Sequence, residues 1–274
     1  MTSIRRFFRI VSILLLFLFS IIFFGLLKGV ISLFSRTKGD QMIFYIIKPF
    51  CTLIRWICDV RIQVEGMENI PSRNGYLVVA NHYSYVEALS TMSVVPAVPV
   101  SKSEIRDWPV FGYAARIGGV VFVNREKGGL SGTYIEVLMK KLKKGINIIF
   151  FPEGTTTDST YLKGFKSALF VPANRLKAPV LPVVSTVIAI DGKPVPPDQK
   201  DLIAWYGGAP FIPHAMRLLT FRSIDLKFKI CEPIIPDYDD SSIEERRKFA
   251  KQVQRRMDAA LREIAPDYQG IRDE

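Results

Sequence analysis

A chain of 274 residues is long enough for one large folded domain together with a smaller appendage. Hydrophobic residues make up 49% of it, and they are not spread evenly along the chain. The net charge is +11, and residues 1–58 contribute eight basic residues against a single acid, Asp40. Because this positive charge lies in the apolar N-terminal part, it favours contact with anionic lipid over binding of nucleic acid.

The N-terminal part contains two apolar segments. The first, Ile10 to Leu27, has 18 residues without a charge, and ~17–25 such residues cross a bilayer. A cleaved signal peptide is the competing interpretation, but no clear cleavage motif follows this long run. A turn is predicted at residues 35–40. The second segment, Met42 to Cys58, contains Pro49, which kinks a helix, so we expect it to lie in the membrane interface. Residues 1–58 are therefore predicted to form a membrane-anchoring helical hairpin.

Residues 59–274 have the composition of a globular domain with alternating strands and helices. Strands are predicted at Val60–Glu65, Gly75–Ala80, Val98–Ser101, Val120–Val123, Ile148–Phe151, Val180–Ala189 and Ile224–Cys231. Helices are predicted at Ser84–Val95, Glu104–Ile117, Ser131–Lys144, Leu162–Asn174 and Ser242–Ile264. This order predicts an α/β fold with a largely parallel mixed sheet flanked by helices. The three cysteines and two histidines lack the spacing of metal ligands, so no metal site is expected.

The most informative segment follows the predicted strand that ends at Ala80. His82 lies in the turn, and Glu87 lies five residues further on, at the start of a helix. A carboxylate beside one imidazole nitrogen fixes the tautomer and makes the other nitrogen a better base. The alternative is that Ser84 and Glu87 form a capping box, in which Glu87 only caps the helix.

Two further strand ends carry polar residues. Arg125 follows the strand that ends at Val123, where a guanidinium could bind a phosphate, although an ordinary surface arginine fits equally. Glu153, Gly154 and Thr155 follow the strand that ends at Phe151, and backbone N–H groups in such a turn can hold an anion. Buried there, Glu153 would need a partner, such as Arg125 or a substrate hydroxyl. A plain strand-to-helix turn is the alternative.

The order of these motifs resembles that of the 1-acylglycerol-3-phosphate and lysophospholipid acyltransferases. The chain contains NHYSYVE at 81–87, Gly119 with Phe122 and Arg125, FPEGT at 151–155 and APVLPV at 178–183. These match the four sequence blocks of that family in order, over roughly residues 60–235. The N-terminal hairpin also resembles the membrane motif of bacterial members.

The resemblance implies an enzyme that transfers a fatty acyl group from acyl-CoA or acyl carrier protein to the sn-2 hydroxyl of lysophosphatidic acid. It implies that His82 is the general base and Glu87 its partner, without a cofactor. Arg125, Glu153, Gly154 and Thr155 would hold the headgroup, and Lys102 and Lys166 are further candidates for contact with the donor or headgroup. Membrane lipids would be its partners, and the expected location is the bacterial inner membrane with the catalytic domain on the cytoplasmic side.

Two departures from the family pattern concern the acid and the acceptor. Glu87 stands where the family usually has aspartate, and Thr156, Thr157 and Asp158 follow FPEGT where many members have arginine or serine. The second departure leaves another acceptor open, such as lyso-ornithine lipid or another lysophospholipid. A hydrolase and a non-catalytic membrane adaptor are the remaining alternatives, and the chain contains no G-x-S-x-G nucleophile motif.

Overall fold

The computed structural model describes residues 2–109, 111–123 and 132–272. The helices are α1 (Thr2–Phe34), α2 (Arg36–Ile57), α3 (Tyr85–Val94), α4 (Phe111–Ile117), α5 (Gly132–Lys143), α6 (Val171–Leu176), α7 (Phe211–Leu218) and α8 (Ile243–Ile264). The strands are β1 (Val60–Glu65), β2 (Leu77–Ala80), β3 (Val98–Lys102), β4 (Val121–Val123), β5 (Ile148–Phe150), β6 (Leu162–Lys163), β7 (Val180–Ile190), β8 (Lys193–Pro194), β9 (Ile224–Ile230) and β10 (Ile271–Arg272).

The main sheet has the strand order β1-β9-β7-β2-β5-β3-β4, with β8 paired to β7. Strand β2 runs parallel to its neighbours β5 and β7, and β3 runs parallel to β5 and β4. Strands β9 and β8 run antiparallel to β7. The predicted α/β class with a largely parallel mixed sheet is confirmed. The carboxyl ends of β2 and β5 consequently lie side by side, and ligand sites in such sheets form at these ends.

Helices cover the two faces of the sheet. One apolar core lies between the sheet and α2, α3 and α7, and the other lies between the sheet and α5, α6 and α8. Strand β2 is buried over its whole length because it has helices on both sides, which explains its unbroken apolar sequence LVVA. The rigid central strands thus support the loop that begins at Asn81.

Two helix predictions in the globular domain were wrong in part. The helix predicted at Glu104–Ile117 is divided into a 3₁₀ turn at Ser103–Asp107 and helix α4. Pro109 explains this division, because the residue before a proline avoids the helical conformation and Trp108 is extended. The helix predicted at Leu162–Asn174 begins instead as strand β6, continues as a 3₁₀ turn at Ser167–Phe170 and ends as α6. Strand β6 forms because it pairs with the distant β10, which local sequence does not reveal.

The N-terminal part is a pair of helices, as predicted, but the turn between them is shorter. The predicted turn at residues 35–40 reduces to Ser35, whose hydroxyl accepts from the N–H of Lys38 and caps α2. Helix α1 is long and apolar enough to cross a membrane by length and composition. Helix α2 continues through Pro49 and packs on α3.

Both ends of α1 contact the globular domain. The Arg5 guanidinium donates to the carbonyl of Thr220 at 2.7 Å, and that of Arg9 donates to the carbonyls of Phe221 and Arg222. Near the other end of α1, the Lys28 ammonium donates to the carbonyl of Ile117 at 3.3 Å. Arg9 and Lys28 are about 29 Å apart along a helix. Helix α1 therefore lies along the domain over most of its length.

Candidate active site

His82 and Glu87 are in direct contact at the carboxyl end of β2. The Nδ1 atom of His82 lies 2.6 Å from Oε1 of Glu87. The Glu87 side chain is fully buried, whereas that of His82 is 22% exposed. An Nδ1–H that donates to Glu87 leaves a lone pair on Nε2, on the other side of the ring. The pair therefore has the geometry of a general base with an orienting carboxylate.

The capping interpretation describes Ser84 better than Glu87. Ser84 is the N-cap of α3, and its hydroxyl accepts from the N–H of Val86 at 3.3 Å. A capping box would place the carboxylate of Glu87 on the N–H of Ser84. Its Oε1 instead accepts from the N–H of Tyr83 at 3.3 Å, in addition to contacting His82. Glu87 thus contacts the helix entrance and the imidazole together.

The loop after β5 encloses His82. Oε1 of Glu153 accepts from the backbone N–H of His82 at 2.8 Å, and its Oε2 accepts from the backbone N–H of Lys163 at 3.1 Å. The N–H of Thr157 donates to the His82 carbonyl at 2.9 Å. The Phe151 ring stacks on the imidazole, with the ring centroids 4.0 Å apart and an interplanar angle of 18°. Two of the three strand ends that sequence analysis singled out, those of β2 and β5, are therefore joined.

The other residues that were predicted to bind substrate lie in or beside the loop after β5, at the end of β3 or outside the described residues. Gly154 has a φ of +74°, which favours glycine, and a Cβ built there would lie 3.6 Å from Cε of Lys166. Lys166 therefore passes over the turn that also carries the exposed Thr155. Lys102 is exposed at the carboxyl end of β3, two strands away from β2. Arg125 lies outside the described residues.

Burial governs the ionisation of the two glutamates. It raises the pKa of Glu87, and the adjacent imidazole acts in the opposite direction. Burial raises the pKa of Glu153 to about 8, while the backbone N–H groups of Lys163 and His82 favour its ionised form. The predicted partner of Glu153 was Arg125 or a substrate hydroxyl. Among the described residues, its partners are two backbone N–H groups.

Three residues near His82 received no role from the sequence. The Asn81 side-chain amide bonds with the backbone of Ser185 in both directions, which ties the end of β2 to β7. Phe151 and Thr157 contact His82 directly. Asn81 and Phe151 are the first residues of the motifs NHYSYVE and FPEGT, and their place in these motifs was the available signal. Their partners are far away in the chain, so their contacts required the fold.

A partly exposed histidine and a buried acid thus form a pair at the end of a central strand, in an α/β domain that carries a long apolar helix. The description "Acyltransferase" is that of the family model that matches residues 61–186. The lyso-ornithine lipid O-acyltransferase of Rhizobium meliloti is 30% identical over 76% of this chain and 70% of its own length. The human 1-acyl-sn-glycerol-3-phosphate acyltransferase alpha is 31% identical over 48% of this chain and 47% of its own length.

The fold comparison agrees with these sequence relatives. The crystal structure of the 1-acyl-sn-glycerophosphate acyltransferase PlsC from Thermotoga maritima matches with a TM-score of 0.64 and 25% identity, over 97% of this chain and 99% of that one. The chain belongs to the acyltransferase family that includes the 1-acyl-sn-glycerol-3-phosphate and lyso-ornithine lipid acyltransferases. It is an O-acyltransferase, and the resemblance stated from its motifs is confirmed.

Proposed function

We propose that this enzyme transfers a fatty acyl group from a thioester donor to the free hydroxyl of a lysolipid, with His82 as the general base. The contact of 2.6 Å between His82 and the buried Glu87 is the observation that carries this proposal. The imidazole is partly exposed, so a substrate hydroxyl can reach it. Acyl-CoA and acyl carrier protein are both candidate donors.

The proposed reaction needs no acyl-enzyme. Nε2 of His82 takes the proton of the lysolipid hydroxyl while its oxygen attacks the thioester carbonyl. The C–S bond breaks as the new ester C–O bond is completed, and the departing thiolate takes the proton back from the imidazolium. Glu87 holds the imidazole in the required tautomer and stabilises its positive charge during the step. The catalyst is thereby restored with all protons accounted for.

The substrate headgroup is proposed to bind beside the loop after β5. Gly154 and Thr155 form the turn there, and Lys166 brings a positive charge to it. Arg125 and Lys102 remain candidates for contact with the headgroup or donor. The reaction requires the lysolipid hydroxyl to be held next to the thioester carbonyl of the donor. These contacts would therefore contribute mainly by positioning the two substrates close together.

Two acceptors are supported by separate observations. Lysophosphatidic acid, acylated at sn-2 to phosphatidic acid, follows from the motif order and from the activity named for the PlsC structure. Lyso-ornithine lipid is supported by three relatives that align with 68–76% of this chain and are all named lyso-ornithine lipid O-acyltransferases. It is also supported by Thr156, Thr157 and Asp158, which follow FPEGT where many members of the family have arginine or serine.

We also propose that residues 1–58 anchor the enzyme in one leaflet of the membrane. A helix that contacts the same domain through Arg9 and Lys28 lies along that domain and does not lead away from it. Its exposed apolar residues, such as Leu14 and Phe23, would enter the lipid. The bacterial inner membrane, with residues 59–274 on the cytoplasmic side, is the proposed location because a lysolipid acceptor lies in the leaflet and the donors are cytoplasmic.

The test is an acyl-transfer assay with the full chain in membranes. Labelled acyl-CoA and acyl carrier protein would each be supplied with lysophosphatidic acid or with lyso-ornithine lipid, and the His82→Ala variant serves as the control. Formation of phosphatidic acid or of ornithine lipid that depends on His82 supports the proposal and identifies the acceptor. Release of free fatty acid without any acceptor would indicate a hydrolase instead.

A further inference from the structure

We propose that Glu153 is a positioning residue for His82 and that it lies outside the headgroup pocket. This inference rests on the proposed function, in which His82 is the base. The resemblance to the family implied a headgroup role for Glu153. The geometry instead assigns its carboxylate to the backbone of the base itself.

Both oxygens of the Glu153 carboxylate are engaged by the protein. One accepts from the N–H of His82 at 2.8 Å and the other from the N–H of Lys163 at 3.1 Å. The residue is only 3% exposed. A lipid headgroup approaching from solvent therefore cannot reach this carboxylate, and a phosphate would in addition be repelled by it whenever it is ionised.

The carboxylate is one of three contacts that hold His82, and we call Phe151, Glu153 and Thr157 the His82 clamp. Thr157 donates to the carbonyl of His82, so the clamp satisfies both backbone polar groups of the residue. Phe151 stacks on the imidazole and limits its rotation, while Glu87 fixes Nδ1. The loop after β5 thus fixes the base at the end of β2.

The consequence for catalysis is a distinction between turnover and binding. A general base works only within hydrogen-bond reach of the proton it removes, so a small displacement of His82 lowers the rate of the chemical step. A positioning residue therefore affects kcat, whereas a headgroup ligand affects KM for the acceptor.

The experiment compares Glu153→Gln with Glu153→Ala in the full-length enzyme in membranes. Glutamine keeps one acceptor oxygen for the two N–H groups, and alanine keeps none. We expect kcat to fall about 10-fold for glutamine and further for alanine, with the acceptor KM within about 2-fold of the wild-type value. The partial rescue by glutamine is the mark of an acceptor role.

Thr155→Val is the matched variant in the same loop. It removes an exposed hydroxyl that is proposed to contact the headgroup, so the expected result is the reverse: a raised acceptor KM with a nearly unchanged kcat. The same rise in KM for the Glu153 variants would overturn the inference.

A second variant covers the case in which the Glu153 variants do not fold, and a binding measurement gives a separate readout for Glu153→Gln where that variant folds. Phe151→Leu keeps an apolar side chain but removes the stacked ring, and it should lower kcat several-fold without changing the acceptor KM. Binding of lysophosphatidic acid and lyso-ornithine lipid would also be measured in the His82→Ala background. Addition of Glu153→Gln there should leave the dissociation constant unchanged, and weaker binding would contradict the positioning role.

These outcomes separate the inference from the proposed function. If His82→Ala remains fully active, the proposed base is wrong. If His82→Ala is inactive and the Glu153 or Phe151 variants change only KM, the base stands and the clamp is wrong.

Discussion

The chain contains two histidines, and the structure places them in contrasting environments. His82 lies at a strand end with Nδ1 on a buried carboxylate and with a partly exposed ring. His214 lies within helix α7, only 6% exposed, with Nδ1 at 3.0 Å from the hydroxyl of Tyr85 and with Nε2 buried. The partner of each imidazole, more than its burial, distinguishes a candidate base from a structural residue.

The comparison shows why one histidine suits catalysis. A carboxylate stabilises the imidazolium that forms when a base takes a proton, and a neutral phenol does so far less. Burial lowers the pKa of His214 below its usual value of 6.5, and Arg217 lowers it further. His214 is therefore held neutral within an aromatic cluster that includes Tyr85 and Phe211. The two environments lead to different expectations for mutation and pH.

The largest effect is expected from removing the base. His82→Ala should lower the rate of acyl transfer by ~10²–10⁴-fold, because proton transfer by a positioned side chain contributes that much. The measurement is initial rate with labelled donor in membranes, with protein levels matched by immunoblot. A folded variant with nearly normal activity would rule out the proposed mechanism.

The next effect concerns the partner of the base. Glu87→Gln keeps the size of the side chain but removes the charge, and we expect a loss of about 10²-fold, because a neutral amide neither fixes the same tautomer nor stabilises an imidazolium. Glu87→Asp keeps the charge and should retain substantial activity.

The two Glu87 variants also decide the capping question. If Glu87 only served the entrance of α3, glutamine would replace it with little loss of rate, because glutamine also functions in a capping box. Equal activity of the glutamine variant and the wild type would therefore contradict the role of Glu87 as the orienting carboxylate.

The smallest effect on activity is expected at the other histidine. His214→Gln should leave the acyl-transfer rate within about 3-fold of wild type, with a loss of about 1–2 kcal/mol in the free energy of unfolding from the buried contact. A loss comparable to that of His82→Ala would remove the distinction between the two residues.

The same variant gives a prediction for pH. Because the pKa of His214 is lowered in the folded state, this residue has a higher proton affinity in the unfolded chain. As the pH falls below 6.5, the unfolded chain is therefore protonated first, which favours unfolding. The contribution of His214 to stability is thus present above pH 6.5 and is lost as pH falls through the folded pKa. The measurement is the thermal unfolding temperature in detergent between pH 5 and 8, at intervals of about 0.5 pH units. On the acid side, the unfolding temperature should decline less for His214→Gln than for wild type.

Most of the sheet could be predicted from the sequence. Strands such as Val60–Glu65 are visible as runs of apolar or alternating residues, and α3 is marked by Ser84 at its N-cap. The errors fell where distant pairing or proline overrides local preference, at β6 and at Pro109. Helix α7 was not predicted because it has only eight residues and contains Pro213, and strands β8 and β10 have only two residues each.

The sequence by itself determined the class of enzyme, because four motifs of the family occur in their usual order. It also pointed to His82 and Glu87, which lie in the first of these motifs. It left Glu87 between two roles and did not reveal that Glu153 contacts the backbone of His82 and Lys163. Only the tertiary structure placed Glu87 against the imidazole and Glu153 against the backbone of His82. The physical reason is that β2 and β5 are far apart in the chain but adjacent in the sheet, so contacts between their loops exist only after the strands have paired.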